Sequence, residues 1–372
     1  MKECRVKDIC IKGSSNLKQK DVEGKKGLYP VYGASGIISF IDTYHQENEY
    51  IAIVKDGSGI GRVSFMPPKS SVIGTMQYIL PKEGYDIRYI GYCLQSLGLN
   101  KYKQGAAIPH IYFRDYGEKN IIVADNIDEQ RRIVSYLDSS FKLIDEIKDK
   151  ALKSLTEAKA LFQSALAEAM EPKEGWEEKT LGEICSKIGS GATPKGGKKI
   201  YIKNGVSIIR SLNIHRNYFK YEDLAHIDNN SAKKLDNVIV KNNDVLFNIT
   251  GASIARCCVV PINVLPARVN QHVSIIRIKE GIIPHFLCYL LNSKNYQMIL
   301  LGIGESGSTR QAITKSDLEH FVIAYPPLPT QKQIVSHLDS LSSNVRQMEE
   351  KYQKMVEECD ALKQAMLRDV FE

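Results

Sequence analysis

The chain has 372 residues, enough for two or three domains at roughly 100–200 residues each. With 43% hydrophobic and 25% charged residues it has the composition of an ordinary globular protein, and no run of about 18 apolar residues offers a membrane span. The formal net charge of +7 permits a polyanionic partner without requiring one, so where the charge sits matters more than its sum.

The N-terminus, MKECRVKDIC, has no apolar core of a signal peptide, and the eight Cys form no C-x-x-C pair. A structural zinc site and a disulfide scaffold are both disfavoured, and a reducing, cytoplasmic setting is expected. Residues 1–128 carry short apolar or β-rich runs, such as 50–54 and 72–80, punctuated by Gly, Asn, Ser and Pro. They read as a globular α/β domain.

Residues 129–171 contain no Gly and no Pro, and they align without a gap to 330–372 at an offset of 201, with 15 of 43 positions identical. Gln130/Gln331, Leu137/Leu338, Asp138/Asp339, Leu161/Leu362 and Leu166/Leu367 are among the matches, which marks a duplication. A fainter echo pairs Val6–Cys10 with Leu181–Cys185 at an offset of 175, leaving 26 extra residues in the second unit. Each 43-residue repeat is expected to be one helix, roughly 60 Å long at 1.5 Å per residue. Its spacings of three and four predict a coiled-coil seam. In the first helix the seam is expected through Val134, Leu137, Ile144, Ile147, Ala151, Ala158, Leu161 and Ala165, with Ser140 and Ser154 as weak points. In the second it is expected through Val335, Leu338, Leu341, Val345, Met348, Tyr352, Met355, Cys359, Leu362 and Met366. Neither helix is expected to persist alone, so the two should lie antiparallel and bury each other's seam.

Residues 172–329, with β-rich runs at 206–210, 245–250 and 272–278, read as a second globular domain bounded by Pro172 and by Pro326–Pro329. The expected fold is therefore α/β (α+β) in four parts: domain 1–128, helix 129–171, domain 172–329 and helix 330–372. Divided this way, the charge is +10 on the two globular domains and −3 on the two helices. Positive charge sits where a polyanion could be read, and mixed-sign helices suit protein contacts.

Catalytic motifs fail on inspection. The glycine loop 189–199 lacks a P-loop, because Ala192 stands where the first Gly is required and Lys199 where Ser or Thr is. Neither Pro-Pro pair sits in an Asn/Asp-Pro-Pro-aromatic loop of the kind used to methylate a base amino group, and the eight His show no metal-ligand spacing. What remains is a set of polar, basic, glycine-rich loops in both domains. In the first they offer Lys12, Ser14, Ser35, Lys55, Ser58, Arg62, Lys101, Lys103, Gln104 and His110. In the second they offer Ser190, Thr193, Lys195, Lys198, Arg210, Asn213, Thr250, Ser253, Arg256, Gln271, Ser308, Arg310 and Gln311. Such side chains bind phosphate oxygens or read base edges, Arg on guanine and Asn or Gln on adenine. Each loop alone reads as a solvated turn; their occurrence in both basic domains favours a double-stranded DNA surface.

Several of these segments resemble the specificity subunits of type I restriction-modification systems, and the resemblance covers nearly the whole chain. Tyr29-Pro-Val-Tyr-Gly-Ala-Ser-Gly-Ile-Ile38 is similar to the family's YPVYGxSGxI stretch, and Gly105-Ala-Ala-Ile-Pro-His110 to its GxAIPH loop. Gly189-Ser-Gly-Ala-Thr-Pro194 resembles the GxTP opening of a target-recognition domain. Asp317-Leu318 with Pro326-Pro-Leu-Pro-Thr-Gln331 resembles the DL…PPLxEQ approach to a spacer helix. The resemblance implies two target-recognition domains, each reading half of a bipartite DNA site, and two antiparallel spacer helices that dock two methyltransferase subunits and, where present, restriction subunits. It also implies a non-catalytic chain that binds no cofactor. S-adenosylmethionine would serve adenine methylation, and ATP with Mg²⁺ would serve cleavage, all on other subunits.

A pseudo-two-fold repeat predicts half-sites about one helical turn apart, roughly 34–36 Å. Because the two domains differ outside the short echoes, the target is expected to be non-palindromic. A self-contained DNA-modifying enzyme and a coiled-coil scaffold that binds only proteins are the alternatives. Activity of the chain alone with S-adenosylmethionine or Mg²⁺ would mark the first, and absence of salt-dependent DNA affinity the second.

Overall fold

A computed structural model describes residues 2–105, 109–193, 196–305 and 311–371. Lys195, Ser308 and Arg310 lie outside the described residues, as does the side chain of Lys198. The chain forms two compact units, one of residues 1–152 with 351–372 and the other of residues 153–350. Each unit therefore contains one globular domain together with part of each long helix.

In the first unit the strands are β1 (Lys2–Arg5), β2 (Cys10–Ser14), β3 (Tyr29–Gly33), β4 (Gly36–Ile41), β5 (Tyr50–Val54), β6 (Val63–Met66), β7 (Ser71–Val72), β8 (Met76–Pro81) and β9 (Asn120–Val123). An antiparallel sheet runs in the order β2-β8-β5-β6, and a smaller one in the order β4-β3-β7 with β3 and β7 parallel. All five residues of β5, Tyr-Ile-Ala-Ile-Val, are buried. A continuous β-branched and aromatic run is what a central strand covered on both faces demands. The helix Ile87–Ser96 packs on this sheet, its start fixed by the Asp86 carboxylate accepting from the Arg88 and Tyr89 N–H groups.

The second unit repeats the plan. Its strands are β10 (Glu177–Thr180), β11 (Cys185–Ser190), β12 (Val206–Ile209), β13 (Ile214–His215), β14 (Tyr218–Phe219), β15 (Ala225–Ile227), β16 (Ile239–Val240), β17 (Val245–Asn248), β18 (Cys257–Val259), β19 (Ala267–Val269), β20 (Val273–Ile278) and β21 (Val322–Tyr325). The sheet β11-β20-β17-β18 corresponds to β2-β8-β5-β6, and β15-β12-β19 corresponds to β4-β3-β7, again with one parallel pair. The β1–β9 and β10–β21 pairs are likewise counterparts.

The two long helices are Ile127–Ala169 and Leu328–Phe371. The second takes Pro329 into its first turn, where the missing N–H costs no hydrogen bond. Within the first unit the helices pair antiparallel, with Lys363 on Asp145 at 2.6 Å and Lys148 on Asp360 at 2.9 Å. Within the second unit Lys159 meets Glu349 at 2.6 Å, in the same sense. Val134, Leu137, Ile144, Leu166 and Leu338 are buried, and Val335 and Val345 are half-buried.

The seam differs from the expected one in alternate positions. Leu161 is 61% exposed, Leu362 51% and Ile147 53%, so none of the three is a seam residue. On the first helix the buried stripe steps from Leu137 and Ile144 through Phe141, Lys148, Leu155 and Phe162; on the second it passes from Cys359 to Lys363. A heptad alternates steps of three and four, and the two lysines take core positions that a hydrophobic pattern skips. Their stems lie against the seam while each ammonium turns out to a carboxylate of the opposite helix; Lys363 also sits 5.3 Å from the Phe141 ring. Each globular domain also holds its helix by a tyrosine: Tyr92 donates to Asp138 in the first unit, and Tyr289 donates to Asp339 at 2.7 Å in the second.

Candidate nucleic-acid interface

The loop between β5 and β6 and the loop between β17 and β18 are closed by the same pair of backbone hydrogen bonds. Gly61 N–H donates to Val54 O at 2.8 Å and Val54 N–H to Arg62 O at 3.0 Å. Ala255 N–H donates to Asn248 O at 2.8 Å and Asn248 N–H to Arg256 O at 2.9 Å. Both loops turn through a left-handed glycine, Gly57 at φ +80° and Gly251 at φ +75°. A second shared left-handed position is Gly61 in one and Ala255 in the other, and the first loop adds Gly59 at φ +81°, where the second has Ser253. A Cβ on Gly61 would stand 2.6 Å from the Asn100 backbone nitrogen, so glycine is obligatory there.

Two further segments close on each loop by equivalent bonds. Lys55 N–H donates to Thr75 O, and Ile111 N–H to Lys55 O, both at 3.0 Å. In the second unit Ile249 N–H donates to His272 O at 3.0 Å and Ile313 N–H to Ile249 O at 2.9 Å. Asp56 bridges to His110 where Thr250 bridges to Ala312. Each unit thus gathers three loops from distant parts of the sequence into one surface.

The side chains there differ between units. In the first, the His110 ring pairs with the Asp56 carboxylate and lies against the Tyr112 ring, centroids 4.2 Å apart and planes tilted by 47°. Gln104 donates to Asp115 at 3.0 Å, and Arg62 donates to Ala34 O at 2.8 Å. Lys55 is half-buried, and burial followed by the nearby charge of Lys12 pulls its pKa below the usual lysine value. Two ammonium groups this close, one poorly hydrated, gain most from a polyanion. Lys12, Ser14, Ser35, Ser58, Lys101 and Lys103 are exposed.

In the second unit a chain of polar groups joins three loops. Thr193 donates to Gln271 Oε1, Gln271 Nε2 meets His272 Nε2 at 3.1 Å, and His272 Nδ1 meets Thr250 Oγ1 at 2.6 Å. Ser190 and Gln311 are exposed, and Ser253 and Arg256 are half-buried. Ser253 accepts from Asn248 Nδ2 at 3.1 Å. Arg210 is turned inward, donating to Asp223 O and lying 5.4 Å over the Tyr201 ring.

Asn213 corrects an expectation. It is fully buried, its Oδ1 accepts from Arg210 N–H at 3.1 Å, and its Nδ2 donates to Lys220 O at 3.0 Å and Glu222 O at 3.3 Å. An amide so engaged braces a loop and presents no edge to a base. Thr75 belongs to the assembled surface of the first unit without being among the residues the sequence singles out, and His272 joins the second surface beside Gln271, in the polar loop Asn270-Gln-His272. A sequence signal for the loop correspondence does exist: residues 51–63 align without a gap to 245–257 at an offset of 194, matching Gly57/Gly251, Ile60/Ile254 and Arg62/Arg256. Among the described residues, no three His, Cys, Asp or Glu side chains group as a metal site, and no helix is long and apolar enough to cross a membrane.

Comparison with known proteins agrees with this duplicated architecture. A Methanocaldococcus jannaschii protein, named as the MjaX specificity subunit of a type I restriction enzyme, is 24% identical over 212 residues, covering 53% of this chain and 46% of its own length. The match thus spans about half of that relative. Two solved structures, each at 18% identity, share the fold. One, described as the basis of complex assembly and conformational transition of the type I R-M system, has a TM-score of 0.72 over 98% of this chain and 96% of its own. The other, the HsdS subunit from Thermoanaerobacter tengcongensis, has a TM-score of 0.52 over 98% and 95%. The family model of the type I restriction modification DNA specificity domain matches residues 1–157 and again 173–358, and the chain belongs to that family.

Proposed function

We propose that the chain is the non-catalytic DNA-recognition subunit of a type I restriction-modification complex. Each unit would read one half of a bipartite, asymmetric duplex site, and the long helices would set the spacing between the halves. The observation that carries this reading is the three-loop surface built twice, on the two domains that hold the excess positive charge. The same backbone pairing with unequal side chains suits two readers of unequal sequences.

The helices have a second surface to offer. On the first unit's part of the Ile127–Ala169 helix, Tyr136, Leu143 and Ile147 share one face and are 55%, 61% and 53% exposed. The spacing i, i+7, i+11 aligns them along the helix, opposite in kind to the mixed charges around them. This stripe is suited to docking a methyltransferase subunit. S-adenosylmethionine, ATP and Mg²⁺ would then be bound elsewhere in the complex.

The test is the affinity of the purified subunit–methyltransferase complex for duplex DNA at 50–200 mM salt. Contacts to several phosphates predict a steep linear fall of log affinity with log salt. A flat salt dependence would refute DNA reading and favour a protein-only scaffold. Methyl transfer by the chain alone would refute the non-catalytic assignment.

A further inference from the structure

The 26 extra residues of the second unit are not spread evenly. In the first unit β3 and β4 are joined by Ala34 and Ser35 alone, whereas residues 210–224 separate their counterparts β12 and β15. This insertion contains the β13–β14 hairpin, for which the first unit has no counterpart among the described residues.

The hairpin is fastened to the duplicated loop. Asn248, fully buried at the end of β17, donates through Nδ2 to Ser211 O at 3.0 Å and to Ser253 Oγ at 3.1 Å. Asn217 N–H, at the hairpin tip, donates to Cys257 O at 3.0 Å. On the outer side His215 stacks on Tyr218, with ring centroids 4.8 Å apart and planes 16° from parallel, and Tyr218 is 45% exposed. Arg256, the counterpart of Arg62, lies close enough that its charge, after burial, helps hold the His215 imidazole below its ordinary pKa. Arg62 is spent on the Ala34 carbonyl at the short β3–β4 turn, but the hairpin replaces that turn in the second unit.

A flat aromatic pair beside an arginine, rooted in the loop that the two units share, has the chemistry of a base or sugar contact flanked by a phosphate contact. We propose that the His215–Tyr218 stack is a specificity-determining contact of the second unit, so that this unit reads at least one base position more than its counterpart. The inference rests on the DNA-recognition reading given above.

The test is methylome sequencing of cells expressing the full chain with its modification subunit, as wild type, Tyr218→Phe and His215→Ala/Tyr218→Ala. Wild type and Tyr218→Phe, which keeps the stack, should give the same gapped motif. The double variant should relax one or more positions in one half only and methylate the original sites about tenfold more slowly, the size of one good base contact. An unchanged motif at an unchanged rate overturns the proposal. So does equal relaxation of both halves, or loss of the modification subunit on gel filtration, which would make the hairpin a structural or protein-docking element. Absence of any gapped motif in the wild type would instead overturn the recognition reading itself.

Discussion

Gln130 and Gln331, one at the start of each long helix, make the same three hydrogen bonds in the two units. Gln130 donates to Gly84 O at 3.4 Å and Ala124 O at 2.9 Å and accepts from Asp86 N–H at 2.8 Å. Gln331 donates to Gly281 O at 3.0 Å and Pro326 O at 2.8 Å and accepts from Ile283 N–H at 2.8 Å. Both side chains are fully buried. A single amide therefore pins the end of the sheet, the lead-in to the globular domain's helix and the long helix at one point.

Replacing that amide leaves several buried backbone groups without partners, each costing about 1–3 kcal/mol. Gln331→Ala is expected to lower unfolding stability by roughly 3 kcal/mol, read as a drop in urea midpoint at unchanged m-value. An unchanged midpoint would mean the lock carries no load.

The corrected seam separates two leucines that sequence alone treats alike. Leu338 is fully buried beside Tyr289 and Phe286, and Leu362 is 51% exposed. Leu338→Asp should prevent cooperative folding of the second unit, since an unpaired carboxylate cannot be accommodated there. Leu362→Asp should change the thermal midpoint of the free chain little. Equal destabilisation by the two substitutions would restore the original seam.

Lys148 and Lys363 occupy seam positions at which each ammonium must reach a carboxylate. A double-mutant cycle on Lys363 and Asp145 is expected to give a coupling of about 0.5–1 kcal/mol at low salt, because Asp145 is 56% exposed. Lys363→Met should be neutral or stabilising, with a loss of register preference as the corresponding cost. A loss above about 3 kcal/mol would show the pair to be worth more than a surface ion pair.

Arg256 and Asn213 should fail in different assays. Arg256→Ala should weaken duplex binding and reduce the salt slope by about one if its partner is a phosphate. Asn213→Ala should lower stability through the unpaired Lys220 and Glu222 carbonyls, and affect DNA only as the fold loosens. Normal stability with selective loss of one base position in Asn213→Ala would contradict its bracing role.

Acid sensitivity has a definite sign at Asp228. Its carboxylate accepts from Ser231 and Asn230 N–H at the start of the Asn229–Lys233 turn, and the Ser231 bond is the main cause holding its pKa below the usual range. A depressed carboxyl stabilises above its unfolded pKa, near 4, and loses that contribution as pH falls through the folded value. Asp228→Asn, still a good cap, should flatten the fall of thermal midpoint below pH 4 and leave pH 7 nearly unchanged. A fall as steep as that of the wild type would place the acid sensitivity elsewhere.

Much of this architecture is legible in the sequence, and the parts that are not have physical reasons. The helices show through the absence of Gly and Pro, and the repeat shows through identity at a fixed offset. Half the seam is legible because Leu137, Ile144 and Leu338 belong to either reading of a three-four alternation. The other half is hidden because Lys148 and Lys363 occupy apolar positions while Ile147 and Leu362 sit one residue away, facing out. Asn213 reads as a surface reader because its partners are carbonyls seven and nine residues on, invisible to composition. Thr75 enters the surface through backbone pairing with Lys55, twenty residues away, which no local motif records.

The most direct measurement of the central claim is the methylated motif found when the wild-type chain is co-expressed with its modification subunit in cells lacking other methylation. Two readers of like backbone and unlike side chains predict a gapped motif with two different halves whose centres lie about one helical turn apart. A single ungapped, symmetric motif would contradict the account.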